Sequence, residues 1–309
     1  MHLTAHDGIM LTDCSLNEHQ QTSMSTMPLT FHGDVQAAVD EALAWSSMFD
    51  HHPTLEELRR DLRHPCSEEA MIHHLEQRHD LVVEAGHVHL LDSERNPHEQ
   101  QRRRLAEDHL EVTSEVLGIL ASCSAVTGLA VTGSVAAGKN DENGDVDVLI
   151  VTKPGWVWRV RALALFLAHR HPRGQRLCPN MVLAEGSLSI EPSLYGAREL
   201  MRMIPLKDTS GLSQLHAANA WARDVLPNAS MKPLRSVPLI SNYPWWWRIM
   251  TLPLVGRVVE RWEASRRIKQ LTSTTSTTEA VYSRSVCRGH ENAHKQRIET
   301  RYRHLGGEV

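Results

Sequence analysis

Hydrophobic positions recur with helical spacing in the first third of the chain, after a polar start. Residues 1–30 are polar, with many Ser and Thr beside some Gln and Asn, and show little periodicity, which predicts a poorly ordered arm. Three helical patterns follow. The first begins behind Asp34, the second is opened by the capping-box pair Thr54 and Glu57, and the third by Ser67.

Two short β-rich runs come next, in LVVEAGHVHLLD, with a turn at Ala85–Gly86 that predicts a hairpin. Three helices and a hairpin resemble a winged helix-turn-helix, so a winged-helix-like domain is predicted for residues 31–95. Such a domain would contact DNA through its third helix. That helix carries the acidic residues Glu68, Glu69 and Glu76, with Arg78 behind them. Phosphate affinity needs Lys and Arg, so a protein-interaction or substrate-side role is favoured over DNA binding.

The middle of the chain alternates between helical and strand-like patterns. The apolar side of Glu99–Cys123 predicts a linking helix over residues 96–123. Leu129–Thr152 then reads as a buried strand, a glycine turn, a short helix, a polar loop and a second strand. A helix over Trp156–His171 and a strand over Arg176–Glu185 follow. These elements predict a core domain over residues 124–205.

Mostly helical patterns fill residues 206–309, which predicts a helical C-terminal region. The helical patterns of the second half lie at Ala197–Ile204, Leu212–Val225, near Val258–Leu271 and at His290–His304. TSTTSTT at 272–278 reads as a linker. The whole pattern predicts an α+β protein with a small mixed sheet, flanking helices, an N-terminal winged-helix-like domain and a helical C-terminal region.

Composition indicates the cellular compartment and shows an uneven distribution of charge along the chain. The five cysteines are odd in number and scattered, and MHLTAHDGIM lacks a basic region followed by an apolar run, which favours the cytoplasm. Trp245–Val259 is the most membrane-like segment, but Arg248, Pro253 and Arg257 interrupt it, so no membrane span is expected. The three tryptophans at 245–247 are expected to pack against the body of the protein instead. Beyond Tyr243, arginine and lysine outnumber acids, which is typical of a solvated helix face or of a surface that meets phosphate.

The candidate chemistry lies in LAVTGSVAAGKNDENGDVDVLIVT. Asp145 and Asp147 are two residues apart, and alternate side chains of a strand share a face, so both carboxylates are expected on one face. Hard oxygen ligands suit Mg²⁺ or Mn²⁺ held together with substrate phosphates. Gly133 and Ser134 stand where a strand turns into a helix, which favours contact with an anion. Together these residues predict a metal-dependent attack on an α-phosphate.

A phosphate-loop pattern overlaps the same stretch, since Gly133, Gly138 and Lys139 fit G-x-x-x-x-G-K. The next residue is Asn140 where such loops have Ser or Thr, so the magnesium-binding hydroxyl is missing. The turn-forming sequence NDENG would also end the long helix that such a lysine must begin. The match is therefore taken as accidental.

The run VTGSVAAGKNDENGDVDVLIVT resembles the Gly-Ser and Asp-x-Asp signature of the DNA polymerase β-like nucleotidyltransferase superfamily. WVWRVRAL, LCPNMVLAE, ARELMRMIPL and ANAWARDVLPN extend this resemblance to bacterial nucleotidyltransferase-domain proteins. The resemblance implies that Gly133 and Ser134 hold a nucleoside triphosphate and that Asp145 and Asp147 ligate the metal ions. It also implies transfer of a nucleoside monophosphate to an acceptor hydroxyl, with pyrophosphate leaving.

A third carboxylate, which many members of the superfamily carry on the next strand, has three candidate positions here. Asn180 lies mid-strand, Glu185 ends the strand and Glu191 follows it. Glu185 is taken as the third catalytic acid, and Lys139 and Arg161 as candidate phosphate contacts. The acceptor stays open between protein, RNA, a sugar and a second nucleotide. A catalytically silent interaction protein of the same fold and a winged-helix DNA-binding regulator are the alternatives.

Overall fold

A computed structural model describes residues 31–92, 96–275, 279–289 and 294–304. The arm predicted for residues 1–30 lies outside the described residues. In the described part of the chain, no helix is both long and apolar enough to cross a membrane.

The N-terminal region contains three helices and one hairpin, as the sequence predicts. In chain order these are α1 Val35–Ser47, α2 Leu55–Asp61, α3 Glu68–Glu76, β1 Leu81–Glu84 and β2 His87–Leu90. The side chain of Asp34 accepts from the N–H of Ala37, and Thr54 and Glu57 form the expected capping box. Ala85 and Gly86 both adopt positive φ in the hairpin turn.

Eight elements make up the central part of the chain: α4 Glu99–Ser122, β3 Val126–Val131, α5 Gly133–Ala136, β4 Val146–Thr152, α6 Val157–Arg170, β5 Leu177–Ala184, α7 Leu194–Arg202 and β6 Ile204–Asp208. Seven follow: α8 Gly211–Ala218, α9 Trp221–Val225, α10 Trp245–Met250, α11 Pro253–Thr274, β7 Val281–Tyr282, β8 Val286–Arg288 and α12 His294–His304.

Six strands form one mixed sheet in the order β6-β3-β4-β5-β8-β7. The β4–β5 pair is parallel and is connected by α6, whereas the other four pairs are antiparallel. The prediction of an α+β fold with a mixed sheet and flanking helices is therefore confirmed. Whether the N-terminal region is a winged helix stays a prediction.

The sheet separates two apolar cores because β4 is buried on both faces. Val146 and Val148 pack on the side of α4 and α6. Leu149 and Val151 pack on the other side, with α7 and α8. Since side chains alternate along a strand, Asp147 projects toward the α7 face. The site is thus built between the sheet and α7.

Three strands were not indicated by the sequence. Residues 204–208 form β6, although the sequence predicts a helix that includes Ile204; α7 instead spans Leu194–Arg202. Proline is tolerated because β6 is an edge strand, where one side of the backbone needs no donor. The strands β7 and β8 have two and three residues, too few for an alternation to be visible. The predicted C-terminal region therefore contributes strands as well as helices.

Two predicted helical features differ from the sequence expectation. Leu212–Val225 is split into α8 and α9 at Asn219, whose side-chain amide donates to the carbonyls of Leu188 and Leu215, both at 2.8 Å. Packing of all three tryptophans at 245–247 against the body was also expected. Trp247 is buried, but Trp245 is 78% exposed.

Buried ion pairs join the N-terminal helices to α7. Arg198 of α7 lies 3.4 Å from Glu41 of α1, and Arg202 pairs with Asp61 of α2. Arg63 lies 4.0 Å from the same Glu41 oxygen. Buried charges are tolerated when they are paired. These contacts hold α7, and the residues it carries, at a fixed position over the sheet.

Candidate active site

The antiparallel pairing of β3 and β4 places Gly133 against Asp147. Val131 is opposite Val148, and the N–H of Thr132 donates to the carbonyl of Asp147 at 2.9 Å. Gly133 has φ +65°, and a Cβ there would overlap the Asp147 Oδ2 and lie 3.3 Å from its Cβ. Only glycine adopts this positive φ without strain and also leaves room for the Asp147 carboxylate. The glycine that the sequence singled out is therefore needed for close approach to the carboxylate.

Asp145 lies one residue before β4 and is exposed, whereas Asp147 lies inside the strand and is half-buried. Both carboxylates act on Cys178, which pairs with Asp147 on β5. Burial raises the pKa of the Cys178 thiol to about 12, and the Asp147 and Asp145 carboxylates act in the same direction. The two aspartates thus lie close enough to share one electrostatic environment.

The candidates for the third position lie in three different places. Asn180 lines the same cavity as Asp147. Glu185 lies at the opposite end of β5, where its N–H donates to the carbonyl of Thr152 and its carboxylate accepts from Ser210 at 3.2 Å. Five residues of extended chain separate Thr152 from Asp147, roughly 16 Å. The structure does not bring Glu185 to the aspartates, so Glu185 leaves the proposed site.

Glu199 of α7 is the carboxylate that the sequence analysis missed. Its Oε2 accepts from the N–H of Gly133 at 3.2 Å. Burial raises the pKa of Glu199, and the nearby Asp147 carboxylate also raises it, whereas the Gly133 N–H and Arg202 oppose the shift. The signal in the sequence was the run ARELMR, in which a helix with an apolar face also carries Arg198, Glu199 and Arg202.

The aspartate cavity, which we define by Gly133, Ser134, Asp147 and Glu199, is bordered by four cationic side chains. They are Arg102, Lys139, Arg198 and Arg202. The cavity has a volume of about 320 Å³. This concentration of positive charge beside two carboxylates suits a ligand that is itself strongly negative.

Lys139 is buried, with 8% of its surface exposed, and Arg198 is more enclosed still, at 1%. The Lys139 Nζ lies 5.0 Å from the centre of the Phe49 ring. Burial and then Arg202 lower the pKa of Lys139 to about 7. The other cation suggested by the sequence, Arg161 of α6, does not line this cavity; it lies close to Cys287 and 5.9 Å from the centre of the Trp158 ring.

A second cavity adjoins the first. We call it the apolar cavity because most of its lining surface is apolar, with contributions from Leu149, Met181 and Met203, although Glu279 and Arg288 also line it. Asn180, Tyr195 and Glu199 border both cavities. Glu191 lines the apolar cavity but not the aspartate cavity. Glu199 thus stands at the junction of a charged compartment and an apolar one.

A Gly-Ser turn set against an aspartate-bearing strand is the arrangement that the sequence resemblance to nucleotidyltransferases leads one to expect. The family model described as "Nucleotidyltransferase domain" matches residues 113–166, so the chain contains a polymerase β-like nucleotidyltransferase domain there. This span includes Gly133, Ser134, Asp145 and Asp147 and ends within α6. No curated protein and no solved structure matches the chain. The domain suggests transfer of a nucleoside monophosphate from a nucleoside triphosphate.

The donor set fits a hard divalent cation. Magnesium is usually held by one or two carboxylates together with substrate phosphates. Asp147 lines a cavity that suits phosphate, and Asp145 does not line it but acts on the same Cys178 thiol as Asp147. Within the described residues, no group of three or more His, Cys, Asp or Glu side chains is arranged to hold a metal ion. A metal ion at this site would therefore depend on the phosphates of the substrate for its remaining ligands.

Proposed function

We propose that the protein transfers a nucleoside monophosphate from a magnesium–nucleoside triphosphate to the hydroxyl group of an acceptor. The single observation that carries this proposal is the placement of Gly133 against the Asp147 carboxylate inside a domain matched as a nucleotidyltransferase. Magnesium or manganese would be held by Asp145 and Asp147, and it would stabilise the charge on the entering and leaving oxygens.

The cationic border of the aspartate cavity fits the triphosphate. Arg102, Lys139 and Arg202 place positive charge around a cavity that opens onto Gly133 and Ser134. Charge-assisted hydrogen bonds from guanidinium and ammonium groups to phosphate are short and strong. These side chains would orient the triphosphate with its α-phosphate next to Asp147.

The position of Glu199 fits a general base toward the acceptor. It borders the apolar cavity, which we assign to the acceptor, and the aspartate cavity, which we assign to the nucleotide. A carboxylate whose pKa is raised by burial accepts a proton more readily than an exposed one.

The reaction predicts a difference between two isotopic labels. The full-length protein is incubated with Mg²⁺ and either α-³²P- or γ-³²P-labelled nucleoside triphosphates, with separated protein, RNA and small-molecule fractions of a bacterial extract as acceptors. We expect the α-label to enter a product and the γ-label to leave as pyrophosphate. Transfer of the γ-label would indicate a kinase. The absence of magnesium-dependent triphosphate binding in calorimetry would favour the catalytically silent alternative.

Glu199→Gln is expected to lower kcat by about a hundredfold to ten-thousandfold, which is the range for loss of a general base. The glutamine oxygen can still accept from the Gly133 N–H, so nucleotide affinity should change little. The kcat of the wild type should fall as the pH drops through the raised pKa of Glu199, because the base becomes protonated. This acidic limb should be missing in the variant. Measurement of kcat and KM from pH 5 to 9 checks both points.

Glu185→Gln is the matched control, because it removes the same charge from the carboxylate that the sequence favoured. It should leave kcat within about twofold, since surface substitutions outside a site have small effects. A large loss in Glu185→Gln with none in Glu199→Gln would reverse the assignment of the third carboxylate.

A DNA-binding role is less well supported by the N-terminal region. Arg78, which follows the acidic helix α3, donates to Asp40 at 2.8 Å and to Asp80 at 2.7 Å. Its charge is therefore engaged by two carboxylates. Phosphate contacts require Lys or Arg side chains that neutralise DNA phosphates and so release the counterions condensed on the DNA.

A further inference from the structure

A third cavity adjoins the aspartate cavity at Lys139 and Arg202. We call it the lysine cavity; its charged and titratable border is formed by His51, Glu57, Arg60, Asp61, Lys139, Arg202 and Lys232. Its volume of about 40 Å³ compares with the roughly 10–15 Å³ that one water needs. It admits a group of a few heavy atoms and excludes a nucleoside.

The two carboxylates of this cavity are already paired, Glu57 with side chains other than the lysines and arginines of the cavity and Asp61 with Arg202. Glu57 accepts two hydrogen bonds from Arg103, at 2.8 and 2.7 Å, and lies 3.2 Å from His51. Asp61 pairs with Arg202. These contacts leave the remaining positive charge of the cavity without a matching buried acid.

The other three cations are held mainly by neutral groups. Lys232 donates to the carbonyl of Ala136 at 2.9 Å, and Arg60 donates to the carbonyls of Met201 and Ser230 at 2.9 and 3.0 Å. Arg60 also lies 4.0 Å from the exposed Glu56. In the part of the chain that the structure describes, neither Lys139 nor Lys232 forms an ion pair. Carbonyl dipoles satisfy hydrogen bonds but do not cancel a full charge.

The pKa values of both lysines are lowered in these surroundings. Burial, then Arg60 and Arg202, lowers the pKa of Lys232 to about 8. Burial and Arg202 lower the pKa of Lys139 to about 7, although Asp61 and Glu57 oppose the shift. A cation surrounded by other cations is stabilised most directly by an anion placed between them.

We propose that the lysine cavity is an oxyanion site that takes one phosphate group, held by Arg60, Lys139, Arg202 and Lys232. Arg60 comes from α2 and Lys232 from the segment after α9, both outside the matched domain. The phosphate is either the terminal phosphate of the bound triphosphate, in which case the inference rests on the proposed function, or a phosphate on a second ligand. In both cases the N-terminal helices contribute to binding at the catalytic domain.

Inorganic phosphate is the probe for the first experiment, which uses the full chain and isothermal titration calorimetry. We expect phosphate to bind the wild type and to bind Lys232→Gln at least tenfold more weakly. Glutamine can still donate to the Ala136 carbonyl, so the Lys232→Gln variant should fold. The charge-preserving variant Lys232→Arg should bind phosphate as the wild type does. Lys207→Gln is the control, since Lys207 is also partly buried and donates to the carbonyl of Cys123 at 2.9 Å. Equal affinity of Lys232→Gln and the wild type would overturn the proposal, as would the absence of phosphate binding by the wild type.

Proton uptake gives a second readout. At pH 8 a lysine of pKa about 7 is mostly neutral, and one of pKa about 8 is half protonated. A bound anion raises both pKa values, so phosphate binding at pH 8 should take up protons and should take up fewer at pH 6. Calorimetry in two buffers of different ionisation enthalpy measures this number. Binding without proton uptake at pH 8 would contradict the role of the lysines.

Competition separates the two sources of the phosphate and separates this inference from the proposed function. If the terminal phosphate of the triphosphate occupies the cavity, Mg-ATP should block inorganic phosphate whereas AMP should not. If a second ligand supplies it, phosphate should bind beside Mg-ATP. Asp147→Asn should retain phosphate binding, because Asp147 does not line the lysine cavity. Phosphate binding in a protein that transfers no nucleotide would leave the site standing and reject the function.

Discussion

Asp147→Asn is expected to reduce nucleotidyl transfer by roughly a thousandfold, which corresponds to about 4 kcal/mol of lost charge stabilisation at the transition state. The asparagine keeps the size of the side chain but removes a charged metal ligand. Magnesium should therefore no longer strengthen triphosphate binding. Calorimetry with ATP, with and without Mg²⁺, checks the binding step, and α-label transfer checks the rate.

The same substitution should not destabilise the protein when metal is absent. The Asp147 carboxylate raises the pKa of Glu199, which shows that the two negative charges repel each other. Without a bound cation, neutralising one of them relieves that repulsion. The Tm of Asp147→Asn in EDTA should equal or exceed that of the wild type, while the wild type alone should gain Tm from Mg-ATP.

Asp141→Asn is the matched control for Asp147→Asn. Asp141 is exposed in the loop before β4, and its side chain accepts from the N–H of Asn143, which asparagine can also do. Transfer should stay within about twofold of the wild type. Full activity of Asp147→Asn would reject the proposed site, whichever way Asp141→Asn behaves.

The local part of the site could be predicted from the sequence because its residues lie within fifteen positions of each other. The two strands β3 and β4 are joined through the glycine turn, and one antiparallel pairing between them buries the apolar run after Asp147. That pairing also places Gly133 against the Asp147 carboxylate. The capping residues Asp34 and Thr54 were predictable for the same reason, since their partners are three residues away.

The distant part of the site could not be predicted, because no periodicity encodes it. Glu199 reaches Gly133 across 66 positions, and its place depends on ion pairs that bind α7 to α1 and α2. The sequence also could not choose between Asn180 and Glu185. The register shift between Asp147 and Leu149 in the β4–β5 pairing alters the local alignment of β5, and a shift of one residue exchanges the faces of a strand.

Gly133→Ala is expected to lower transfer by at least about a hundredfold, because a misplacement of about 1 Å in a catalytic group has effects of that size. Two separate consequences are combined in this variant. Alanine at φ +65° is strained by about 1–2 kcal/mol, and its Cβ must also displace the Asp147 carboxylate.

Gly155→Ala separates the two consequences. Gly155 has φ +74°, and nothing lies within 4 Å of a Cβ added there. Both variants should lose about 1–2 kcal/mol of unfolding free energy from backbone strain, measured by urea denaturation. Only Gly133→Ala should also weaken magnesium-dependent ATP binding and transfer. If Gly155→Ala loses as much activity as Gly133→Ala, reduced stability explains the loss. If Gly133→Ala loses stability but retains full activity, the contact between the glycine turn and Asp147 has no part in catalysis. Displacing the Asp147 carboxylate from its position would then have had no effect on transfer.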